Sequence, residues 1–266
     1  MRPFQTVLPQ LALSLEASGR IGLFFDFDGT LAPIVPRPEQ ASLPKCVRER
    51  LQELAAHPSV TVAIISGREL GDLQMRVAAA GVLYAGNHGL EIEAEGWRWA
   101  HPQALSRQEA LRHLCGRISA QLRGLDGVQI EYKKLTATVH YRCLRAADQA
   151  AVCLEVQSAM AAAGEGFLVL PGRCSLEIRP DVDWNKGHAV CLLIARLGIA
   201  ERFVFYFGDD RTDEDAFAAL PQGITVRVGQ ARASRARYSL RDPGEVHHFV
   251  EWLWRRYLHR AVAEAL

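Results

Sequence analysis

The chain has 266 residues, of which 49% are hydrophobic, and a formal net charge of +1 at pH 7. Such length and apolar content supply one large core or two modest ones and exclude a disordered chain. The near-neutral balance excludes wholesale binding to nucleic acid or to an anionic membrane.

The basic run at 227–241 is a local exception. It reads as solvated surface, because Tyr238 is its only aromatic residue. The six cysteines, at 46, 115, 143, 153, 174 and 191, form no C-x-x-C pair and no zinc-spaced cluster. This pattern suits reduced thiols in a cytoplasmic protein. The run "VLPQLALSL" (7–15) is broken by Pro9 and Gln10 and followed by Glu16, so it does not read as a signal peptide. No window has the roughly 20 apolar residues of a membrane span.

Taken in chain order, the first elements alternate between buried strands and amphipathic helices. "IGLFF" (21–25) predicts a strand, and 43–57 predicts a helix with Val47, Leu51 and Leu54 on one face. "VTVAIIS" (60–66) is a second strand, 69–81 a helix capped by Gly81, and "VLYAGNHG" (82–89) a third strand. Near-continuous apolar strands separated by helices imply a parallel sheet covered on both faces.

Between about Glu91 and Pro180 the pattern changes. In "KLTATVHYR" (134–142), Leu135, Ala137, Val139 and Tyr141 alternate with Thr136, Thr138, His140 and Arg142. "CSLEIRP" (174–180) sets Ser175, Glu177 and Arg179 opposite Leu176 and Ile178. Helices at 104–122 and 146–164 precede these strands. The expectation is an inserted α+β domain over 93–180, with the core formed by 1–92 and 181–266. The parallel pattern then resumes: a helix at 185–198, a strand at 202–208, a helix start at "DEDAFAAL", a last strand at 224–229 and a final helix at 243–258.

Ligands of parallel α/β sheets bind off the carboxyl ends of the strands, where Asp26, Ser66 and Asp209 all fall. Asp26 and Asp28 lie two apart, on one side of an extended segment. Two carboxylates so close ionise together only with a shared cation, and the hard ion Mg²⁺ fits. The alternative is an Asx-type turn into Gly29. Asp209 and Asp210 leave another strand, while Asp213, Glu214 and Asp215 read as acids at a helix start, with Thr212 and Asp215 in a capping-box arrangement. Ser66 is either a plain N-cap or, with the N–H groups of Gly67 and Arg68, a holder of phosphate oxygens. Lys186 at a helix start is either a surface lysine or the partner of an anion.

The motifs "DFDGT", the Ser after the second strand, the Lys at a helix start and "GDDRTDED" together resemble the haloacid dehalogenase superfamily of aspartate-nucleophile phosphatases. Lys186 lies 120 residues beyond Ser66, the gap in which that superfamily carries a large cap of its second class (C2). "SGREL", "AGNHGLEIE", "HYR", "LEIRPDVDWNKG" and "YFGDDRTDEDAF" narrow the resemblance to trehalose-6-phosphate phosphatases over nearly the whole chain. Two departures stand out: "EYKK" (131–134) replaces the family's E-x-K-G, with Lys134 in place of glycine, and "DWNKG" replaces "KWDKG".

The resemblance implies an α/β Rossmannoid core with an α+β cap and a Mg²⁺-dependent phosphoric monoester hydrolase of trehalose biosynthesis. It implies Asp26 as nucleophile, Asp28 as general acid and base, and Ser66 and Lys186 as partners of the phosphoryl group. It implies a metal site from Asp26, the Asp28 backbone carbonyl, Asp209 and Asp210. Lys133 and Glu177 are its best sugar contacts, with His140, Arg142, Arg179, Arg68, Asn87 and His88 as further ones. The partner is a small sugar phosphate, with no nucleic acid and no membrane, and the chain is expected to be a monomer. Another sugar phosphate, such as sucrose 6-phosphate or a glycosyl-phosphoglycerate, is the alternative substrate.

Overall fold

A computed structural model describes the chain except residues 9–19, 36, 95, 173, 232 and 264–266, and the side chains of 146–147 and 257–263. Most of the run at 7–15 and one arginine of the basic run therefore lie outside the described residues. The chain divides into two compact units, 1–99 with 184–266, and 100–183.

The first unit opens with β1 (Arg2–Pro3), β2 (Ile21–Phe25), α1 (Lys45–Ala56), β3 (Val60–Ile65), α2 (Leu70–Val77), β4 (Leu83–Gly86), β5 (Glu91–Ala94) and β6 (Trp97–Ala100). The second unit holds α3 (Pro102–Ser106), α4 (Gln108–Gln121), β7 (Gln129–Tyr132), β8 (Ala137–His140), α5 (Ala146–Ala163), β9 (Phe167–Gly172) and β10 (Ser175–Pro180). The chain returns to the first unit with α6 (Lys186–Leu197), β11 (Val204–Gly208), α7 (Asp213–Ala219), β12 (Ile224–Val228), β13 (Tyr238–Leu240) and α8 (Pro243–Ala263).

The first unit is built on one sheet in the order β1-β13-β12-β11-β2-β3-β4-β5-β6. The ladders from β1 to β4 are parallel, and β5 turns back antiparallel on β4. The run "IGLFF" is apolar at every position because both faces of β2 are covered. Leu23 and Phe25 join Val62, Ile64, Phe205 and Phe207 under α1, α2 and α8, while Phe24 joins Ala63, Ile65, Val204 and Tyr206 under α6 and α7. From β2 the chain moves one way to β3, and after the second unit it returns to β11 on the other side. The strand order therefore reverses at β2, where α/β sheets open a crevice at their carboxyl ends.

The second unit is a four-stranded antiparallel sheet in the order β7-β8-β10-β9. Ala137, Val139, Leu176 and Ile178 face Leu111, Leu114 and Ile118 of α4 and Val152, Val156 and Ala159 of α5. On the other face, Glu131, Thr138, Glu177 and Leu170 stand directly opposite one another across the four strands.

Several local expectations are corrected. Residues 93–99 belong to the large sheet, since Glu93 pairs with Tyr84, so the units part at 99/100 and 183/184. The helix expected at 104–122 breaks at Arg107. The strand at 224–229 is not the last, because Tyr238–Leu240 adds a parallel one within the basic run. Thr136 and Thr138 are buried rather than on an open face, Thr138 on the interior strand of its sheet. β8 begins at Ala137 because residues 133–136 make the turn from β7: Lys133 N–H donates to the Thr136 carbonyl. Lys134 stands in that turn at φ +64°, the left-handed region that a glycine adopts without cost. β8 ends at His140, which leaves Arg142 exposed in the following turn.

α2 ends at Val77, and its left-handed cap is Ala78 (φ 48°, ψ 40°), not Gly81. A Cβ makes this conformation costly, whereas glycine is its usual occupant. Ala78→Gly is expected to stabilise the protein by about 1 kcal/mol, read as a rise in the urea unfolding midpoint at unchanged slope.

Candidate active site

Asp26 continues β2 by one residue, its N–H donating to the Phe207 carbonyl of β11 at 2.8 Å. Its side chain is 7% exposed, and Oδ1 accepts from Lys186 Nζ at 2.7 Å. Lys186 is the first residue of α6, a helix begun by Asn185, whose Oδ1 caps the His188 N–H. At 2% exposure Lys186 is no surface lysine: the same Nζ also donates to Asp213 Oδ1 at 2.7 Å.

Asp213 is the residue that sequence reasoning passed over. It was read as a helix-start acid, yet it is fully buried, and each of its oxygens takes two donors. Oδ1 accepts from Lys186 and from the Tyr206 hydroxyl (2.8 Å), and Oδ2 from the N–H groups of Asp209 (3.0 Å) and Asp210 (2.9 Å). Those four bonds fill a carboxylate's acceptor sites. The signal was its place four residues after Asp209, which lets it reach back across the turn. Gly208 is required there, since a Cβ would collide with the Asp213 carboxylate. Thr212 makes no side-chain cap, so the expected capping box does not form.

Asp26, Asp209 and Asp213 each bring an oxygen within 4.8 Å of the other two. Asp28 and Asp210 are not in this group. Asp210 is exposed and bonds its neighbour's N–H, Arg211 N, at 2.6 Å. Gly29, at φ +81°, passes so close to Asp209 that any Cβ would strike its carboxylate. Three carboxylates face one ammonium, leaving two uncompensated negative charges when all are ionised. Asp213 has its acceptor sites filled, so Asp26 and Asp209 are the carboxylates of this group with oxygens to offer a hard divalent cation.

Asp28 has a different partner. Arg68 grips it with two parallel bonds, Nε to Oδ2 and Nη2 to Oδ1, both 2.6 Å. Arg68 also donates to Asp72 (2.8 Å) and to the Pro38 carbonyl (3.0 Å). Ser66 is buried at the carboxyl end of β3, and its Oγ accepts the Arg68 N–H at 3.3 Å. It is not an N-cap, since α2 starts four residues later at Leu70.

Asn87 and His88 hold this loop from the side. The Asn87 N–H donates to the Arg68 carbonyl, the His88 N–H donates to the Ser66 carbonyl, and Asn87 Nδ2 donates to Glu91. Both adopt positive φ, and Gly67 lies too close to the His88 ring to carry a side chain. In the second unit His140 bonds Glu131 (2.9 Å), Lys133 lies 3.8 Å from Glu131, and Arg179 pairs with Glu177 (2.7 Å).

The sequence profile of the trehalose-phosphatase family matches residues 24–243, which span every one of these groups. The chain belongs to the trehalose-phosphatase family. A trehalose-phosphate phosphatase of Mycobacterium tuberculosis is 37% identical over 245 residues, covering 88% of this chain and 61% of that protein. The trehalose 6-phosphate phosphatase RA3 of Zea mays is 34% identical over 262 residues, 91% of this chain and 72% of that one. The trehalose-6-phosphate phosphatase C-terminal domain of Candida albicans superposes with a TM-score of 0.76 over 92% of this chain and 96% of that one. At 24% identity it speaks for the fold alone. The parallel α/β core with an inserted α+β unit expected from the motifs is the architecture seen here. The chain spans less than two thirds of the length of the mycobacterial relatives.

Burial raises the Asp26 carboxyl well above the ordinary range, with Asp213 and Asp209 adding to the rise and Lys186 opposing it. Burial, then Asp213, pushes Asp209 up to about 7. Lys186 is held charged by Asp213 and Asp26 despite its own burial. A carboxyl raised in the folded state holds a proton that the unfolded chain has released, so its contribution is full below the ordinary carboxyl range and lost as pH rises through the folded value. The metal-free protein is therefore expected to melt at lower temperature at about pH 8 than at about pH 5.5, and Mg²⁺ to close most of that gap at the higher pH. A melting temperature that rises over this range without metal would contradict the assignment.

Proposed function

We propose that the protein hydrolyses trehalose 6-phosphate to trehalose and inorganic phosphate, as the last step of trehalose synthesis, through a phosphoryl group carried on Asp26. The observation that carries this reading is Asp26 itself: a buried carboxylate at a strand end, oriented by Lys186, within a family of trehalose-phosphatases.

In the first step an Asp26 oxygen forms a bond to phosphorus as the bond to the sugar O6 breaks, and Asp28 gives that oxygen its proton. In the second step a water oxygen attacks the phosphorus, Asp28 takes the water's proton, and the bond to Asp26 breaks. Asp28, at the rim with its side chain 38% exposed, is the one of the pair open to solvent and so suited to moving protons. Lys186 and the Ser66 loop hold the transferring oxygens. Asp26 and Asp209 are the carboxylates assigned to Mg²⁺, which would neutralise charge on the phosphoryl oxygens, while the saturated Asp213 orients Lys186 and the Asp209 backbone. The Asp28 carbonyl is the third expected ligand, and Asp210 has no part in the cluster.

The second unit, as the cap, is assigned recognition of the sugar, with Lys133 and Glu177 the foremost contacts and His140, Arg142 and Arg179 beside them. Arg68, Asn87 and His88 are better read as the frame of the Ser66 loop than as sugar contacts. Among the described residues no helix is long and apolar enough to cross a membrane. The six free thiols favour a cytoplasmic setting, and a monomer suffices for the chemistry.

Phosphate release with Mg²⁺ from trehalose 6-phosphate is expected to exceed that from sucrose 6-phosphate and glucose 6-phosphate by on the order of 10²-fold in kcat/KM. Equal rates on all three would refute the trehalose assignment. Asp26→Asn, an isosteric change, should lower kcat by on the order of 10⁴-fold at unchanged circular dichroism. Substantial residual turnover would exclude the covalent route.

A further inference from the structure

Arg68 was expected among the sugar contacts, but its guanidinium is already spent on the protein. Four of its five N–H groups are engaged: Nε and one Nη2 hydrogen on Asp28, the other Nη2 hydrogen on the Pro38 carbonyl, and one Nη1 hydrogen on Asp72. The side chain is 9% exposed. Its far end is buttressed in turn. Asp72 Oδ2 also accepts from Arg76 Nε (2.8 Å), and Arg76 Nη1 donates to the carbonyls of Glu39 (2.7 Å) and Ala41 (3.1 Å). A chain of hydrogen-bonded carboxyl and guanidinium groups thus runs from Asp28 through Arg68 and Asp72 to Arg76, and its two arginines are anchored to backbone carbonyls at 38–41.

Asp28 stands three residues past the end of β2, and its carboxylate is the most exposed member of the chain. Without Arg68 its side-chain torsions are free to turn toward solvent. A fork of two parallel bonds fixes the plane of the carboxylate as well as its position, which a lysine's single ammonium does not.

We propose that Arg68 is a positioning residue, which sets the orientation of the Asp28 carboxylate for proton transfer and makes no contact with the sugar. This rests on the reading of Asp28 as the proton carrier. The arginine acts wholly through Asp28, and Asp72 and Arg76 keep it from following the substrate.

The test is a double-mutant cycle read as kcat and KM separately, with trehalose 6-phosphate and Mg²⁺. Arg68→Ala is expected to lower kcat by on the order of 10²-fold and to leave KM within about threefold. In the Asp28→Asn background the same change should cost less than about threefold in kcat, because the group it orients has gone. Added ethylguanidinium should restore part of the kcat of Arg68→Ala and nothing in the double variant. Arg68→Lys, which keeps the charge for Asp72, carries the same test if Arg68→Ala does not fold, with loss of kcat at unchanged KM expected.

A rise in KM with kcat intact would make Arg68 a substrate contact and overturn the proposal. So would a full additional loss in the Asp28→Asn background, which would mark a structural role. Wild-type turnover by Asp28→Asn would remove the proton-carrier reading and this inference with it, whereas an impaired Asp28→Asn with an additive Arg68 effect would overturn this inference alone.

Discussion

One ammonium between two buried carboxylates organises the site. Lys186 Nζ sits 2.7 Å from both Asp26 and Asp213, and all three are at or near zero exposure. Desolvating three charges is expensive, and removing one partner from such a group typically costs about 3–5 kcal/mol because the rest remain buried and uncompensated. The triad is therefore poor as a source of stability. It makes sense as a means of holding one carboxylate in a fixed place, with a cation beside it, where water does not compete. Tyr206 and two backbone N–H groups complete Asp213, so the ammonium cannot drift toward it without displacing other donors. Asp26 is left as the member whose bonding changes least expensively.

Such a triad needs the sheet. Asp26 and Lys186 are 160 residues apart, and only the reversal of strand order at β2 brings their elements together. β11 lies beside β2, α6 covers the face carrying Phe24 and Tyr206, and α7 follows β11 directly. The second unit interrupts the chain between β6 and α6 without interrupting any ladder of the large sheet. The buried charges thus depend on β2 and β11, which are apolar throughout and covered on both faces, and whose ladder Asp26 extends by one bond to Phe207. A rigid ladder beneath the charged groups is what lets their separation be set to hydrogen-bond distance.

How far the sequence disclosed this depended on whether a signal was local. The strands at 21–25 and 60–65, the helix at 45–56 with Val47, Leu51 and Leu54 inward, and the start of α6 at Lys186 follow from periodicity, and they stand where the pattern puts them. Asp26 and Lys186 were recognisable because strand ends and helix starts are marked places for charge. Asp213 was not, because an acid in the first turn of a helix has an ordinary explanation in the helix dipole, and nothing local shows that its side chain turns back to Gly208 and Lys186. The cap of α2 failed for a related reason. Gly81 is the residue that favours a left-handed turn, but the close of β4 against Ala79 through the Tyr84 hydroxyl imposes that turn on Ala78 instead. Tertiary contact outweighed a propensity of about 1 kcal/mol.

The sequence pattern of two aspartates flanking one phenylalanine suggested like charges that a shared metal must reconcile. The structure resolves them otherwise. Asp26 turns inward to Lys186 and Asp28 outward to Arg68, so the two carboxylates bond different cations, each shared with a further aspartate, before any metal is considered. Their environments then diverge: one is buried and crowded by Asp209 and Asp213, the other lies at the rim and is gripped by a fork. Two carboxyl groups of one chemical kind take up separate work when their surroundings differ in this way. In the proposed mechanism the fixed, dehydrated oxygen is the one assigned to attack phosphorus, and the accessible carboxylate of fixed plane the one assigned to pass a proton to and from water. The intervening Phe27 is fully buried in the core of the first unit, so a rotation of this segment would lift an aromatic ring out of apolar surroundings.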